Sequence, residues 1–177
     1  VIRGQLCAID AANAERVGRP EAFAHVFRYL MSELNANQSS GYADQKKCAI
    51  RLTYHVGEDF WDVIDGLRAI DEAVLFLNMK DGHRRGHGLA LGVNAEEYYR
   101  KRHYKAILPQ QVLLDNMVWI YNKSQQLNIT LPSKTSSYIL QLIDDFSYRI
   151  YGECFSAREL CLAWQLRGDD IYSLDDI

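Results

Sequence analysis

The sequence predicts an α/β chain, with parallel βαβ units in its first half and helices alone in its second. Two observations carry this. Strand-like and helix-like segments alternate from Gln5 to Gly92, and no strand-like segment follows between Ala95 and Trp164. A third observation bears on function. The ionisable and polar residues of the first half gather at the ends of its strands, where ligand sites of α/β folds sit. The division expected is residues 1–94 for the βαβαβ part and 95–177 for a helical subdomain.

Gln5 to Ala11 (QLCAIDA) is short and apolar and then meets Asp10 and Asn13, as a buried strand does on reaching its loop. Pro20 suits a first helical turn, and Phe23, Val26, Phe27, Leu30 and Leu34 recur at helical spacing over Glu21 to Leu34. Asn35 to Asp44 reads as a polar loop. Ala49 to His55 (AIRLTYH) is the second strand, rich in Ile, Leu, Thr and Tyr. Val56, Gly57 and Glu58 form its exit. The next helix is expected over Trp61 to Asn78, with Val63, Ile64, Leu67, Ile70, Val74 and Leu77 as its apolar stripe. Lys80 to Gly82 breaks it, and Arg84 to Gly88 is a short, polar third strand. Beyond residue 94, Pro109 and Pro132 punctuate three or four helices. Tyr99, Tyr104, Tyr121, Tyr138, Tyr148 and Tyr151 thicken this half, and such aromatics are first read as core. Arg167 to Ile177 is acidic and is expected to fray or to pack elsewhere.

The chain has 177 residues, 48% of them hydrophobic and 24% charged. That is an ordinary globular composition, with enough apolar material for a core without staples. Lys and Arg number 20 against 23 Asp and Glu, for a net charge of −3. A basic footprint for duplex nucleic acid is absent, though a nucleotide needs only a pocket. No apolar run reaches the roughly 18–20 residues of a membrane span, and Asp65, Arg68, Asp71 and Glu72 interrupt the longest apolar helix candidate. No CxxC pair occurs among Cys7, Cys48, Cys154 and Cys161. On one helix, Cys154 and Cys161 would stand about 10.5 Å apart along the axis, too far for a disulfide. With no secretory leader visible, the expected compartment is the reducing cytoplasm. The chain opens at Val1 on a strand-like segment, and it is expected to be an internal piece of a longer polypeptide.

Three local features could carry chemistry. In His55-Val56-Gly57-Glu58 a strand delivers an imidazole, a glycine permits a tight turn, and a carboxylate returns toward the same place. That pairing suits metal-assisted hydrolysis; alone, it is first read as an ordinary strand-to-helix turn. In Arg84-Arg85-Gly86-His87-Gly88 a histidine stands between glycines, which would leave its ring uncovered for a substrate; alone, it is equally a surface histidine in a flexible loop. Asp10-Ala11-Ala12-Asn13-Ala14-Glu15 follows the first strand and, alone, is an Asn-containing turn. HExxH, the H-x-E with P-C-x-x-C pair of cytidine-type deaminases, and a Walker A loop are all absent, and Gly86, Gly88 and Gly92 miss the dinucleotide fingerprint by one position.

The three features fall at successive strand ends, in an order that resembles the adenosine deaminase family of zinc-dependent aminohydrolases, which are (β/α)₈ barrels. The family pattern runs D-L-A-G-D-E, then H-A-G-E, then R-[VI]-G-H-G. Its counterparts are DAANAE (Asp10 to Glu15), HVGE (His55 to Glu58) and RRGHG (Arg84 to Gly88), and the resemblance covers residues 5 to 92. The wider wording, AIDAANAE, RPEAFAHVFRYL, HVGEDFWDVIDGLRAIDEAVLFL and GHGLALGV, is similar to large bacterial adenosine-deaminase-like proteins, some of them in antiphage defence systems of the RADAR type.

The resemblance implies the middle strands of a TIM barrel followed by an all-helical insertion. It implies a hydrolytic deaminase that converts an adenine nucleoside or nucleotide to the inosine form and releases ammonia. His55 would be a zinc ligand, Glu58 the general acid toward purine N1, and His87 the base or electrostatic partner of the attacking water. Asp10, Asn13 and Gly57 would line the substrate side. Asn13 stands where the family has a glycine, Ala14 where it has an acid, and Arg85 where it has a small apolar residue, so substrate preference is expected to depart from free adenosine.

The family's H-x-H zinc pair and its last-strand aspartate have no counterpart here. Asp144-Asp145 falls inside the helical stretch Ser136 to Tyr151. Zinc is therefore expected in the full-length parent and not in this piece alone, since one histidine makes no closed site. The expected partners are the adenine substrate and the missing barrel segments of the same protein, with no membrane and no duplex nucleic acid. Open strand edges further suggest a homo-oligomer. Two other readings stand beside this one: a helical assembly module without activity, and a metal-dependent amidohydrolase with another substrate.

Overall fold

The computed structural model describes residues 7–12, 14–36 and 50–169. The protein is a mixed α/β chain, with three strands and six α-helices among the described residues. In order these are β1 (Ala8–Ala11), α1 (Pro20–Ala36), β2 (Arg51–Val56), α2 (Val63–Phe76), β3 (Arg84–His87), a 3₁₀ turn at Leu89–Gly92, α3 (Ala95–Lys101), α4 (Gln110–Gln126), α5 (Ser133–Tyr151) and α6 (Ala157–Leu166). Among the described residues no helix is long and apolar enough to cross a membrane. The chain divides into two compact units. One runs to Ala95 and takes in Gly168 again; the other is Glu96–Arg167.

In the first unit the strands form one parallel sheet in the order β1-β2-β3. Asp10 lies in register with Thr53, and His55 and Val56 with Gly86 and His87. Alternation along β2 buries Leu52, Tyr54 and Val56 on one face and leaves Arg51, Thr53 and His55 on the other. Phe27 of α1 meets the Tyr54 ring edge-on, with centroids 6.0 Å apart. Ala24, Ala69, Ile70, Ala73 and Phe76 complete the core.

The apolar stripes differ from expectation in two places. On α1, Phe27 is buried, but Val26, Tyr29 and Leu30 stand exposed. On α2 three of the four charged residues that interrupt the apolar run, Asp65, Arg68 and Glu72, go inside. Arg68 donates to Glu72 at 2.5 Å and to Asp65 at 2.9 Å, and Arg19 donates to the same two carboxylates at 2.8 and 3.1 Å. Asp65 and Glu72 are wholly buried. Two guanidiniums and two carboxylates satisfy one another, so these positions can lie deeper than Ile64, Leu67 and Val74. Arg28 of α1 donates to the carbonyls of Phe76 and Gly168, which gives the chain beyond α6 its place in this unit.

In the second unit α4, α5 and α6 pack on one another around Leu114, Met117, Val118, Ile139, Ile143, Cys161 and Trp164. Pro109 and Pro132 immediately precede α4 and α5, and Ser156 with Glu159 forms a capping box on α6. Arg167 holds Asp115 through both guanidinium nitrogens, at 2.7 and 2.6 Å. Burial pushes the Cys161 thiol up to about 11. The tyrosines are not core: Tyr104, Tyr138 and Tyr148 are exposed, and Trp164 is the aromatic that is buried.

Candidate active site

The C-terminal ends of β1, β2 and β3 bring His55, Glu58, His87 and Asp10 together. His55 is the penultimate residue of β2, so its ring leaves the sheet on the face opposite Tyr54 and Val56. On the same face, the Asp10 carboxylate of β1 lies 3.2 Å from His55 Nδ1. With the Asp10 oxygen as acceptor, Nδ1 carries the hydrogen, and Nε2 of that tautomer is left to present a lone pair. This is how metal-binding imidazoles are usually oriented, by a carboxylate behind the non-ligating nitrogen.

Past Val56 the chain turns sharply. Gly57 has φ +76°, and a Cβ there would stand 2.5 Å from Ile70 Cδ1, so neither the conformation nor the space admits a side chain. The turn delivers Glu58, whose Oε2 lies 3.2 Å from Nε2 of His87. His87 itself takes φ +58°, uncommon for a residue with a side chain, and Gly88 follows at φ +59°. The Gly88 N–H donates to Val56 O, and the Ala90 N–H to Gly57 O, so the two turns are tied backbone to backbone. The imidazoles of His55 and His87 lie with centroids 5.2 Å apart. The flanking glycines differ in use from expectation. Gly86 makes room for the His55 ring: a Cβ there would stand 2.7 Å from its Cδ2.

The sequence assigns Glu15 no role, yet it is more deeply buried than Asp10, His55, Glu58 or His87. It is 4% exposed. Its Oε1 accepts the Gly57 N–H at 2.8 Å, and its Oε2 accepts those of Glu58 and Asp59 at 3.0 Å each. Three successive N–H groups converging on one carboxylate form an anion nest inside the protein. An acid in a polar loop gives no sign in sequence that it is buried. Asn13 lies outside the described residues. Gly57, expected on the substrate side, commits its N–H to Glu15.

Among the described residues no group of three or more His, Cys, Asp or Glu side chains is arranged to hold a metal ion. The donor chemistry suited to zinc is His55 Nε2, with Asp10 behind the ring. No family model matches the chain, and no curated protein matches it.

Proposed function

We propose that these strand ends belong to a zinc-dependent hydrolytic deaminase acting on an adenine nucleoside or nucleotide. The observation that carries the reading is the contact between Glu58 and His87 beside a carboxylate-oriented His55, at adjacent C-terminal strand ends. His55 Nε2 would hold one position on the metal, and the remaining ligands would come from other segments of a complete barrel. When bound, zinc supplies a water of lowered pKa.

The side chains here would handle protons. Glu58, as the acid, would deliver its proton to purine N1 while the new C–O bond forms at C6. His87 would take the proton that the attacking water gives up. That proton would return to the amino group as the C6–N bond breaks and ammonia leaves, while the proton still on the C6 oxygen would pass to Glu58 as C6=O forms, which leaves the inosine form and restores the acid.

The barrel part of the proposal is supported by the outer edges of β1 and β3, which no strand among the described residues pairs, and by the exposed Val26, Tyr29 and Leu30 on α1; further strands and helices of the same protein would cover them. Unbridged Cys154 and Cys161 suit a reducing cytoplasm. A second reading, an assembly module, is favoured for the helical unit by the exposed Tyr104, Tyr138, Tyr148 and Leu162, and self-association would be its simplest form. The test is ammonia release by the complete zinc-loaded protein from a panel of adenine nucleosides and nucleotides. Turnover of at least one is expected; none on any of them would reject the deaminase reading.

A further inference from the structure

We infer that Glu15 is a positioning residue that sets Glu58 against His87; the inference rests on the deaminase reading of those two. A turn that carries an acid between a strand and a helix has no ladder of its own to hold it. Here the Gly57, Glu58 and Asp59 N–H groups all point at one carboxylate, at 2.8, 3.0 and 3.0 Å. The backbone of Glu58 is thereby fixed on the residue itself and on both sides of it.

The loop that carries Glu15 is clamped in turn. Next to it, Arg16 pairs with Asp59 at 2.8 Å, so a second bond runs from the same loop to the same turn. Four residues on, Arg19 reaches the buried Asp65 and Glu72 of α2. The Tyr54 hydroxyl donates to Gly18 O at 3.3 Å. The buried cluster on α2 thus holds the loop, the loop holds Glu15, and Glu15 holds the turn. Glu15 touches neither acid nor imidazole side chain, so it acts on the chemistry only through where it puts Glu58.

Glutamine is the informative substitute. It has the same shape, but its amide presents N–H where Glu15 presents an acceptor, so it can serve one side of the nest and must oppose the other. A displacement of the acid by about 1 Å is enough to cost on the order of 10²-fold in rate. In the complete zinc-loaded protein, Glu15→Gln is therefore expected to lower kcat about 10- to 100-fold with KM changed by less than about threefold. Made on top of Glu58→Gln, where no proton remains to be positioned, the same change is expected to cost less than about threefold. Glu15→Asp, which keeps the charge on a shorter arm, is run in parallel and is expected to lose less than Glu15→Gln and to show the same disappearance of its effect. Equal losses in both backgrounds, or an unchanged kcat, would overturn the positioning role while leaving the deaminase reading intact. Full activity of Glu58→Gln alone would overturn that reading itself, and this inference with it.

Discussion

Gly86 lies directly beneath the imidazole of His55. A Cβ on Gly86 would stand 2.7 Å from Cδ2, 2.9 Å from Cγ and 3.0 Å from Nε2 of that ring. The two residues are in register on neighbouring strands, so the ring lies across the sheet onto a position that must carry no side chain.

Gly86→Ala is therefore expected to lift the His55 ring off the sheet and break its bond to Asp10. The ring is about a quarter exposed and has somewhere to go, so the fold should lose less than about 1 kcal/mol. The site should lose far more, about 10- to 100-fold in turnover of the complete protein, since the nitrogen we propose for the metal moves. Thermal melting, zinc content and turnover, measured together, check this.

His87 predicts an inverted preference between two small residues. With φ at +58°, alanine there pays the left-handed penalty of about 1–2 kcal/mol and glycine does not. Glycine gives back about 0.4–1 kcal/mol through the unfolded chain. His87→Gly should thus be more stable than His87→Ala by about 0.5–1 kcal/mol. Both should be inactive. Paired denaturation curves check it, and an equal or lower stability for the glycine variant would mean that the backbone at residue 87 is not held left-handed.

The buried ion cluster predicts a large loss of stability. Arg68→Met removes the partner that bonds both Asp65 and Glu72 and leaves Arg19 to serve two wholly buried carboxylates. Breaking a buried pair from one side costs about 3–5 kcal/mol. Urea unfolding of Arg68→Met should show a midpoint shift of that size with the slope unchanged.

Much of the fold was legible because β2 and α2 carry strong local patterns. Leu52, Tyr54 and Val56 alternate as a half-buried strand must, and Gly57 marks the turn that ends it. The third strand, Arg84–His87, is legible from its place after the Lys80–Gly82 break although nothing in it is apolar. What escaped the sequence is of one physical kind: charged groups that go inside because other charged groups meet them there. Asp65, Arg68 and Glu72 read as a polar interruption of an apolar helix, and only the arrival of Arg19 makes them core. Glu15 escaped for the same reason, its partners being backbone N–H groups that every residue possesses. The tyrosines of the helical unit misled in the opposite sense. Their amphipathic rings tolerate the surface, and Tyr138 and Tyr148 take it.

The central claim, that residues 55 to 58 and 87 are a deaminase site, is tested most directly by Glu58→Gln in the complete protein, with His55→Ala beside it. Glutamine keeps the shape and the backbone bonds to Glu15 but has no proton to give to N1. Turnover of the best adenine substrate should fall by about 10²–10⁴-fold, with zinc content and substrate binding retained. His55→Ala should lower zinc content and turnover together. If Glu58→Gln releases ammonia at the parent rate, the turn after β2 is an ordinary strand-to-helix connection and the account is wrong.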